Sequence, residues 1–101
     1  MTETKGHYSA RRVDANQAEI VEALRKAGAT VQILSGVGHG CPDLLIGYHG
    51  RNILIEVKTP TGKITDDELA WISGWKGRAY VARSVEQVME ILNQIIQEDD
   101  E

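Results

Sequence analysis

Three ionisable residues stand at the ends of two apolar runs near the middle of the chain. The segment GCPDLLIGYHGRNILIEVKT contains Asp43, Glu56 and Lys58. Burying several charges among apolar side chains costs free energy unless they are paired or coordinated. Two convergent carboxylates suit a hard divalent cation, which can activate a water for attack on a phosphate. The pattern therefore indicates metal-assisted hydrolysis of a phosphodiester.

The two apolar runs have the pattern of a β-hairpin. The dipeptide HG separates DLLIGY from RNILIEV, and two residues suffice for a tight loop. With that loop, Tyr48 pairs with Arg51 and Asp43 lies opposite Glu56, where like charges about 5 Å apart repel each other. Side chains alternate along a strand, so Glu56 shares a face with Lys58. A three-residue loop would instead put the two carboxylates on opposite faces.

Further helices and strands surround this hairpin. The helical pattern of NQAEIVEALRKAGA comes first and ends at a glycine, and the strand TVQILS follows it. Capping boxes at Thr65 with Glu68 and at Ser84 with Gln87 predict two later helices, separated by the strand AYVA. The predicted order is α-β-β-β-α-β-α, which is that of an α/β domain.

The apolar sides of the three helices predict part of the core. The last helix is apolar over more of its circumference than a one-sided contact requires, so it either lies deep in the fold or meets a partner. We expect on the apolar sides Ile20, Leu24 and Ala27 of the first helix, Leu69, Ile72 and Trp75 of the second, and Val85, Val88, Ile91, Leu92, Ile95 and Ile96 of the last.

Composition limits the class of protein. A chain of 101 residues is long enough for one domain with a single core. Its one cysteine cannot form an internal disulfide, and no apolar run or signal pattern indicates a membrane segment, so we expect a cytoplasmic protein. The formal charge is −4, but the last four residues are all acidic and the rest of the chain is balanced. Because bound metal would leave that remainder basic, the charge does not exclude DNA.

The central residues also form the motif of a known family. Pro42 and Asp43, followed by Glu56, Val57 and Lys58, resemble the PD-(D/E)xK motif of restriction-endonuclease-like nucleases. The segments ANQAEIVEALRKAGATV, GHGCPDLLIGYHGRNILIEVKT and WKGRAYVARSVEQV resemble the stand-alone VRR-NUC nucleases of phages and bacteria. The resemblance implies a restriction-endonuclease-like fold, with a mixed central β-sheet flanked by helices, and a metal-dependent endonuclease.

The resemblance implies a role for each matching residue. Asp43 and Glu56 resemble the family's ligands for Mg²⁺ or Mn²⁺, the carbonyl of Val57 commonly completes the site, and Lys58 resembles the catalytic lysine. Glu19 on the first helix matches an additional acidic residue, which contacts the metal directly or through water. Small relatives resemble dimeric enzymes that cut branched DNA such as four-way (Holliday) junctions, which implies a homodimer here.

One residue departs from the family pattern. Relatives usually carry a glutamine early in the helix after the motif, where this chain has Glu68. A carboxylate cannot donate a hydrogen bond to phosphate as an amide can. Glu68 is therefore either only the capping residue of its helix, or a sign that substrate is positioned differently.

Several of these residues also have simpler explanations. Asp43 suits a turn and Glu56 suits an ordinary ion pair with Lys58, although their combination inside apolar strands favours the site. Asn16 with Glu19 three residues later is a capping-box arrangement, which explains Glu19 without a metal. The two tryptophans, one helical turn apart, suit the core or a dimer surface better than a base-stacking platform.

Basic and loop residues supply the candidates for contacts with DNA. Lys63, in a loop five residues after the motif, is the first candidate, followed by Arg51, Lys76 and His39. His39 stands in the glycine-rich GVGHG loop, where a phosphate backbone could approach closely. Cys41 beside His39 is a poor nucleophile or zinc pair, because no further cluster of cysteine or histidine ligands is present in the sequence.

Together with the residues themselves, the resemblance implies a Mg²⁺- or Mn²⁺-dependent DNA endonuclease in a bacterial or phage-infected cell. We expect a flexible N-terminal arm at 1–13, a single VRR-NUC-like nuclease domain at 14–97 and a disordered acidic tail at 98–101. One alternative is a catalytically inactive nucleic-acid-binding module of the same fold. Another is an interaction domain that assembles through the helix at 84–97 and has no affinity for DNA.

Overall fold

The computed structural model describes residues 15–100 and contains the predicted helices and strands in the predicted order. The proposed arm at 1–13 lies outside these residues. Among them, no helix has both the length and the apolar character needed to cross a membrane. The elements are α1 at 15–26, β1 (Thr30–Ile33), β2 (Leu44–Tyr48), β3 (Arg51–Val57), α2 (Asp66–Gly74), β4 (Ala79–Ala82) and α3 (Val85–Asp99).

The four strands form one mixed sheet in the order β1-β2-β3-β4. The first two neighbouring pairs are antiparallel, and β3 pairs with β4 in parallel. His49 and Gly50 form the two-residue loop of the hairpin, both with positive φ, as a type I′ turn requires. Tyr48 pairs with Arg51, which confirms the predicted register and rejects the three-residue loop. The hairpin strand β3 is therefore central, with neighbours on both sides.

One face of the sheet carries the main core. Alternate residues of the hairpin point to this face and pack against the apolar sides of α1 and α3. The nearly inaccessible side chains here are Ile20 and Leu24 of α1, Leu44, Ile46, Ile53, Ile55 and Val57 of the hairpin, and Val88, Leu92 and Ile95 of α3. This packing fixes both helices relative to the ends of β2 and β3.

The predicted apolar side of α2 is not buried, which corrects that expectation. Leu69 and Trp75 are 55% and 47% exposed, and Ile72 is half-buried. The helix is only nine residues long and lies near Gly40 and Leu54, and among residues 15–100 nothing buries its outer side. Trp71 and Trp75 stack with ring centroids 4.6 Å apart and line an apolar groove beside Leu54. The tryptophans therefore border an open groove instead of filling the core.

A glycine lets α2 approach the sheet closely. Gly40, in the loop between β1 and β2, has a φ of +84°, and a Cβ added there would overlap the backbone carbonyl of Asp67. Only glycine combines that backbone conformation with so close a contact. The first turn of α2 is thereby held against the loop that leads into β2.

The helix ends differ from expectation in several details. Ala27 lies past the end of α1 and is exposed. Ser84 caps α3 as predicted, but the Gln87 side chain accepts from Arg83 N–H and does not close the box on Ser84. Val85 is half-buried and Ile96 is 37% exposed, so they lie at the margins of the apolar face.

The acidic end of α3 is ordered, contrary to the expected disordered tail. The helix continues to Asp99, and its last turn packs against the hairpin end. Glu98 forms ion pairs with Arg78 and Arg51, and Asp99 pairs with Arg51 and His49. Basic side chains near a helix C-terminus also interact favourably with the helix dipole and stabilise the last turn. These contacts explain why the acidic residues remain helical.

Candidate active site

The motif residues converge on one cleft beside the ends of β2 and β3. Asp43 immediately precedes β2, Glu56 and Val57 end β3, and Lys58 follows them. The cleft has a volume of about 220 Å³. Its lining consists of Asp43, Glu56, Val57, Lys58, Thr59, Gly62, Lys63 and Glu68.

Asp43 is held by the strand opposite. The ladder between β2 and β3 ends at Leu44 and Ile55, so Asp43 takes the next position, beside Glu56. Its carboxylate accepts a hydrogen bond from the N–H of Val57 at 2.9 Å. Burial raises the pKa of Asp43, against the opposing effects of this N–H and of Lys58. This hydrogen bond fixes one oxygen of the Asp43 carboxylate at the C-terminal end of β3.

The Glu56 side chain is buried on the face of the sheet opposite the main core, with only 3% of its surface exposed. Burial, a hydrogen bond to Glu68 and the charge of Asp43 raise its pKa to about 8. The ammonium group of Lys58, 3.4 Å away, compensates only in part. The negative charge of this buried carboxyl is therefore poorly neutralised by the protein, and a bound cation would stabilise its ionised form.

Lys58 makes its shorter contact with Glu68, which reaches the cleft from α2. Its Nζ lies 2.7 Å from Glu68 Oε1. Burial alone would lower the pKa of Lys58, but the carboxylates of Glu68 and Glu56 outweigh it and raise the pKa. For Glu68, burial would raise the pKa, but hydrogen bonds from Lys58 and from the N–H of Thr65 lower it to about 2. Glu68 is therefore ionised beside the ammonium group.

Glu68 is also the capping residue that its position predicted. Its Oε1 accepts from Thr65 N–H at 2.9 Å, and its own N–H donates to Thr65 Oγ1 at 3.2 Å. The capping role is confirmed, and Glu68 also lines the cleft; a different positioning of substrate stays a prediction. The contact of Glu68 with Lys58 could not be predicted from the spacing of these residues along the chain.

Arg83 fixes the loop that carries Lys63. The Arg83 Nη1 donates to the carbonyls of Thr59 and Gly62 at 2.8 and 2.6 Å. The loop therefore closes on a residue that directly follows β4. No motif in the sequence predicted this role of Arg83, because the contact depends on the parallel pairing of β4 with β3.

Asn16 connects α1 to the same site. Its side-chain amide donates to the backbone carbonyl of Lys58 at 2.8 Å. Because residues 15 and 16 are both helical, Asn16 lies inside α1 and is not its N-cap, so the capping-box explanation of Glu19 is wrong. Glu19 is exposed, one turn beyond Asn16, and does not line the cleft.

Comparison with protein families connects this geometry to known enzymes. The family model described as "VRR-NUC domain" matches residues 1–86. The chain belongs to the VRR-NUC family. Membership implies a nuclease that acts on DNA, and nucleases of this family typically need a divalent metal. Comparison with curated proteins and with solved structures gave no match.

The oxygen donors of this VRR-NUC chain fit a hard cation that takes only a few ligands from the protein. Within residues 15–100, no group of three or more His, Cys, Asp and Glu side chains is arranged to hold a metal. Magnesium, however, is commonly bound by one or two carboxylates and keeps several waters. Asp43 and Glu56 supply that many carboxylates, and Glu56 gains compensation for a buried charge.

The candidates for DNA contacts are spread over the VRR-NUC fold. Lys63 lines the cleft and is exposed. Arg51 lies at the opposite end of β3, where Glu98 and Asp99 neutralise it. His39 is exposed in its loop with a φ of 56°, and Lys76 is exposed beyond α2. The structure thus brings Lys63 to the motif and leaves the other three outside the cleft.

Cys41 of the VRR-NUC chain lacks the surroundings of a nucleophile. Burial, followed by the nearby carboxylates of Glu56 and Asp43, raises the pKa of its thiol. A reactive cysteine instead has a lowered pKa and an electropositive environment. The thiol therefore stays protonated at neutral pH.

Proposed function

We propose that this protein is a Mg²⁺- or Mn²⁺-dependent endonuclease that hydrolyses phosphodiester bonds in DNA. The observation that carries the proposal is the convergence of Asp43, Glu56 and Lys58 in one cleft, with the Glu56 carboxyl buried. Two acidic oxygen donors and one ammonium group are the components of metal-assisted phosphoryl chemistry. Membership of the VRR-NUC family supports the same reaction.

Each residue of the cleft has a definite part in the proposed mechanism. Asp43 and Glu56 would hold the cation, together with the backbone carbonyl of Val57, and Glu19 would reach it directly or through water. When bound, the cation polarises the phosphate and lowers the pKa of its water. Lys58 stabilises the negative charge that develops on a phosphoryl oxygen, and Lys63 holds the flanking phosphate.

We further propose branched DNA, such as a four-way junction, as the substrate of a homodimer. Each chain of this length supplies one cleft, and paired cuts across a junction require two clefts related by a two-fold axis. Arg51, Lys76 and His39 would contact DNA outside the cleft. A bacterial or phage-infected cytoplasm is the proposed location, since a reducing compartment suits the free thiol of Cys41.

The test is cleavage of labelled four-way junction, flap and linear duplex DNA with Mg²⁺, Mn²⁺ or EDTA. Symmetric nicking of the junction that requires both metal and Lys58, with Lys58→Ala as control, supports the whole proposal. Equal cleavage of all substrates would retain the chemistry and reject the junction preference. Light scattering of the purified protein tests the dimer separately.

A second candidate, a binding module without cleavage, is favoured by one contact. Glu68 engages Lys58 at 2.7 Å, and a lysine committed to a carboxylate is less available for phosphate. That reading predicts tight junction binding in a shift assay, with all substrates intact at every metal concentration. It also predicts that Lys58→Ala leaves the binding affinity unchanged.

A further inference from the structure

Lys58 lies between two carboxylates that belong to different elements. Its Nζ is 2.7 Å from Glu68 Oε1 on α2 and 3.4 Å from Glu56 Oε2 on β3. The Lys58 side chain is only 16% exposed, so water screens these contacts weakly. The nearer partner, Glu68, therefore determines where the ammonium group rests.

The position of Glu68 is set by its own helix. The oxygen that accepts from Lys58 also accepts from Thr65 N–H, and Glu68 N–H donates back to Thr65 Oγ1. The N-terminus of a helix also stabilises a negative charge. The Glu68 carboxylate thus has a fixed place that requires neither cation nor substrate.

Glu56 cannot serve a cation and neutralise Lys58 equally well. With Glu56 as its sole partner, Lys58 would move toward that carboxylate and compete with a cation for the same oxygens. Glu68 offers the ammonium group a closer partner on the other side of the cleft. The arrangement keeps the lysine in the site and draws its ammonium group toward Glu68 and away from Glu56.

We propose that Glu68 is a positioning residue for Lys58, holding its ammonium group on the α2 side of the cleft so that Glu56 is left for the cation. This inference rests on the proposed metal-dependent function. Glu68 acts through Lys58 in this arrangement, since its Oε1 accepts from both the Lys58 ammonium group and Thr65 N–H.

Calorimetric titration with Mn²⁺ tests the inference without any cleavage. Glu68→Gln keeps an acceptor for Thr65 N–H but removes the charge that holds Lys58, so we expect weaker Mn²⁺ binding. In a Lys58→Met background no ammonium group competes for Glu56. The effect of Glu68→Gln on the Mn²⁺ dissociation constant should therefore be smaller there by about twofold or more, as for coupled neighbours.

The double-mutant cycle separates the possible failures. A Glu68→Gln effect that is equal or larger in the Lys58→Met background would make Glu68 a ligand and overturn the inference, with the metal-dependent function intact. A wild-type chain that binds no Mn²⁺ would overturn the proposed function and this inference together.

Cleavage kinetics provide the second readout. Misplacing Lys58 should lower kcat by about 10- to 100-fold in Glu68→Gln, with KM for DNA unchanged, because only the reacting geometry is affected. Ser84→Ala removes the cap of α3 and controls for loss of stability alone. We expect Ser84→Ala to differ from wild type only in Tm. If Glu68→Gln also differs only in Tm, Glu68 acts only as a helix cap and the inference is overturned.

Discussion

The side chain of Asn16 donates a hydrogen bond to the backbone carbonyl of Lys58, across 42 residues of sequence. The contact anchors the first turns of α1 to the strand end that presents the motif lysine. We expect Asn16→Ala to destabilise the fold by about 1–2 kcal/mol, because it leaves a part-buried carbonyl without its partner. Urea denaturation measures this loss, and an unchanged midpoint would show that water replaces the amide.

Glu19 lies on the same helix, exposed and outside the cleft. If it contacts the cation through water, Glu19→Gln should weaken Mg²⁺ affinity by about 10-fold, as for other outer ligands. Glu22→Gln is the matched control, since Glu22 is exposed on α1 and, within residues 15–100, pairs only with Lys26. Equal metal affinities for the two variants would remove Glu19 from the site.

Gly40 permits the close contact between its loop and α2. Gly40→Ala should destabilise the protein by more than about 1 kcal/mol and lower the cleavage rate, because α2 must shift and carries Glu68 with it. Gly38 has a similar φ of +78°, but a Cβ added there meets nothing within 4 Å. Gly38→Ala therefore reports backbone strain alone, and similar losses of stability and rate in both variants would contradict a role for the Asp67 contact.

Local patterns predicted much of this fold. The HG dipeptide between two apolar runs sufficed for the register that sets Asp43 beside Glu56, and Thr65 with Glu68 marked the start of α2. Each of these signals is contained within a few residues. Hydrogen bonding in a turn or a cap depends on neighbours along the chain, which is why such features can be read from sequence.

Contacts between distant segments could not be predicted in the same way. The bonds of Arg83 to the loop after β3, and of Asn16 to Lys58, depend on how β4 and α1 dock. The apolar spacing of α2 indicated an inward side, but spacing cannot show that Leu69 stays 55% exposed. Glu68 looked like a cap from sequence because its second contact, with Lys58, is tertiary.

Arg83 controls the loop that carries Lys63. Arg83→Met keeps most of the aliphatic stem but removes both bonds to the loop carbonyls, so we expect KM for DNA to rise several-fold with a smaller change in kcat. The loss of stability should be about 1–3 kcal/mol. Arg25→Met is the control, because the Arg25 side chain is exposed and donates a long hydrogen bond of 3.4 Å to the Val31 carbonyl. A KM unchanged in Arg83→Met would show that the loop keeps its shape unaided.

The stability of the metal-free protein should depend on pH through Glu56. The pKa of Glu56 is raised from 4.5 to about 8, so folding favours its protonated form. The contribution of this carboxyl to the free energy of unfolding is therefore complete below about pH 4.5 and is lost as pH rises through 8. The pKa of Glu68 is lowered to about 2, and its contribution is lost only as pH falls below 4.5. Between pH 6 and 9, Glu56 therefore dominates this pair, and Tm should fall.

If Glu56 holds the proposed cation, metal binding should reverse that trend, because a cation favours the ionised form of the carboxyl. We expect Mg²⁺ to raise Tm more at pH 9 than at pH 6, and its affinity to rise by up to about tenfold per pH unit below 8. Thermal denaturation with Mg²⁺ or EDTA across this range measures both effects. Glu56→Gln is the control: it cannot ionise, so its metal-free Tm should vary less with pH and Mg²⁺ should add little. A wild-type Tm with the same Mg²⁺ response at pH 6 and 9 would contradict a protonated Glu56 in the metal-free cleft.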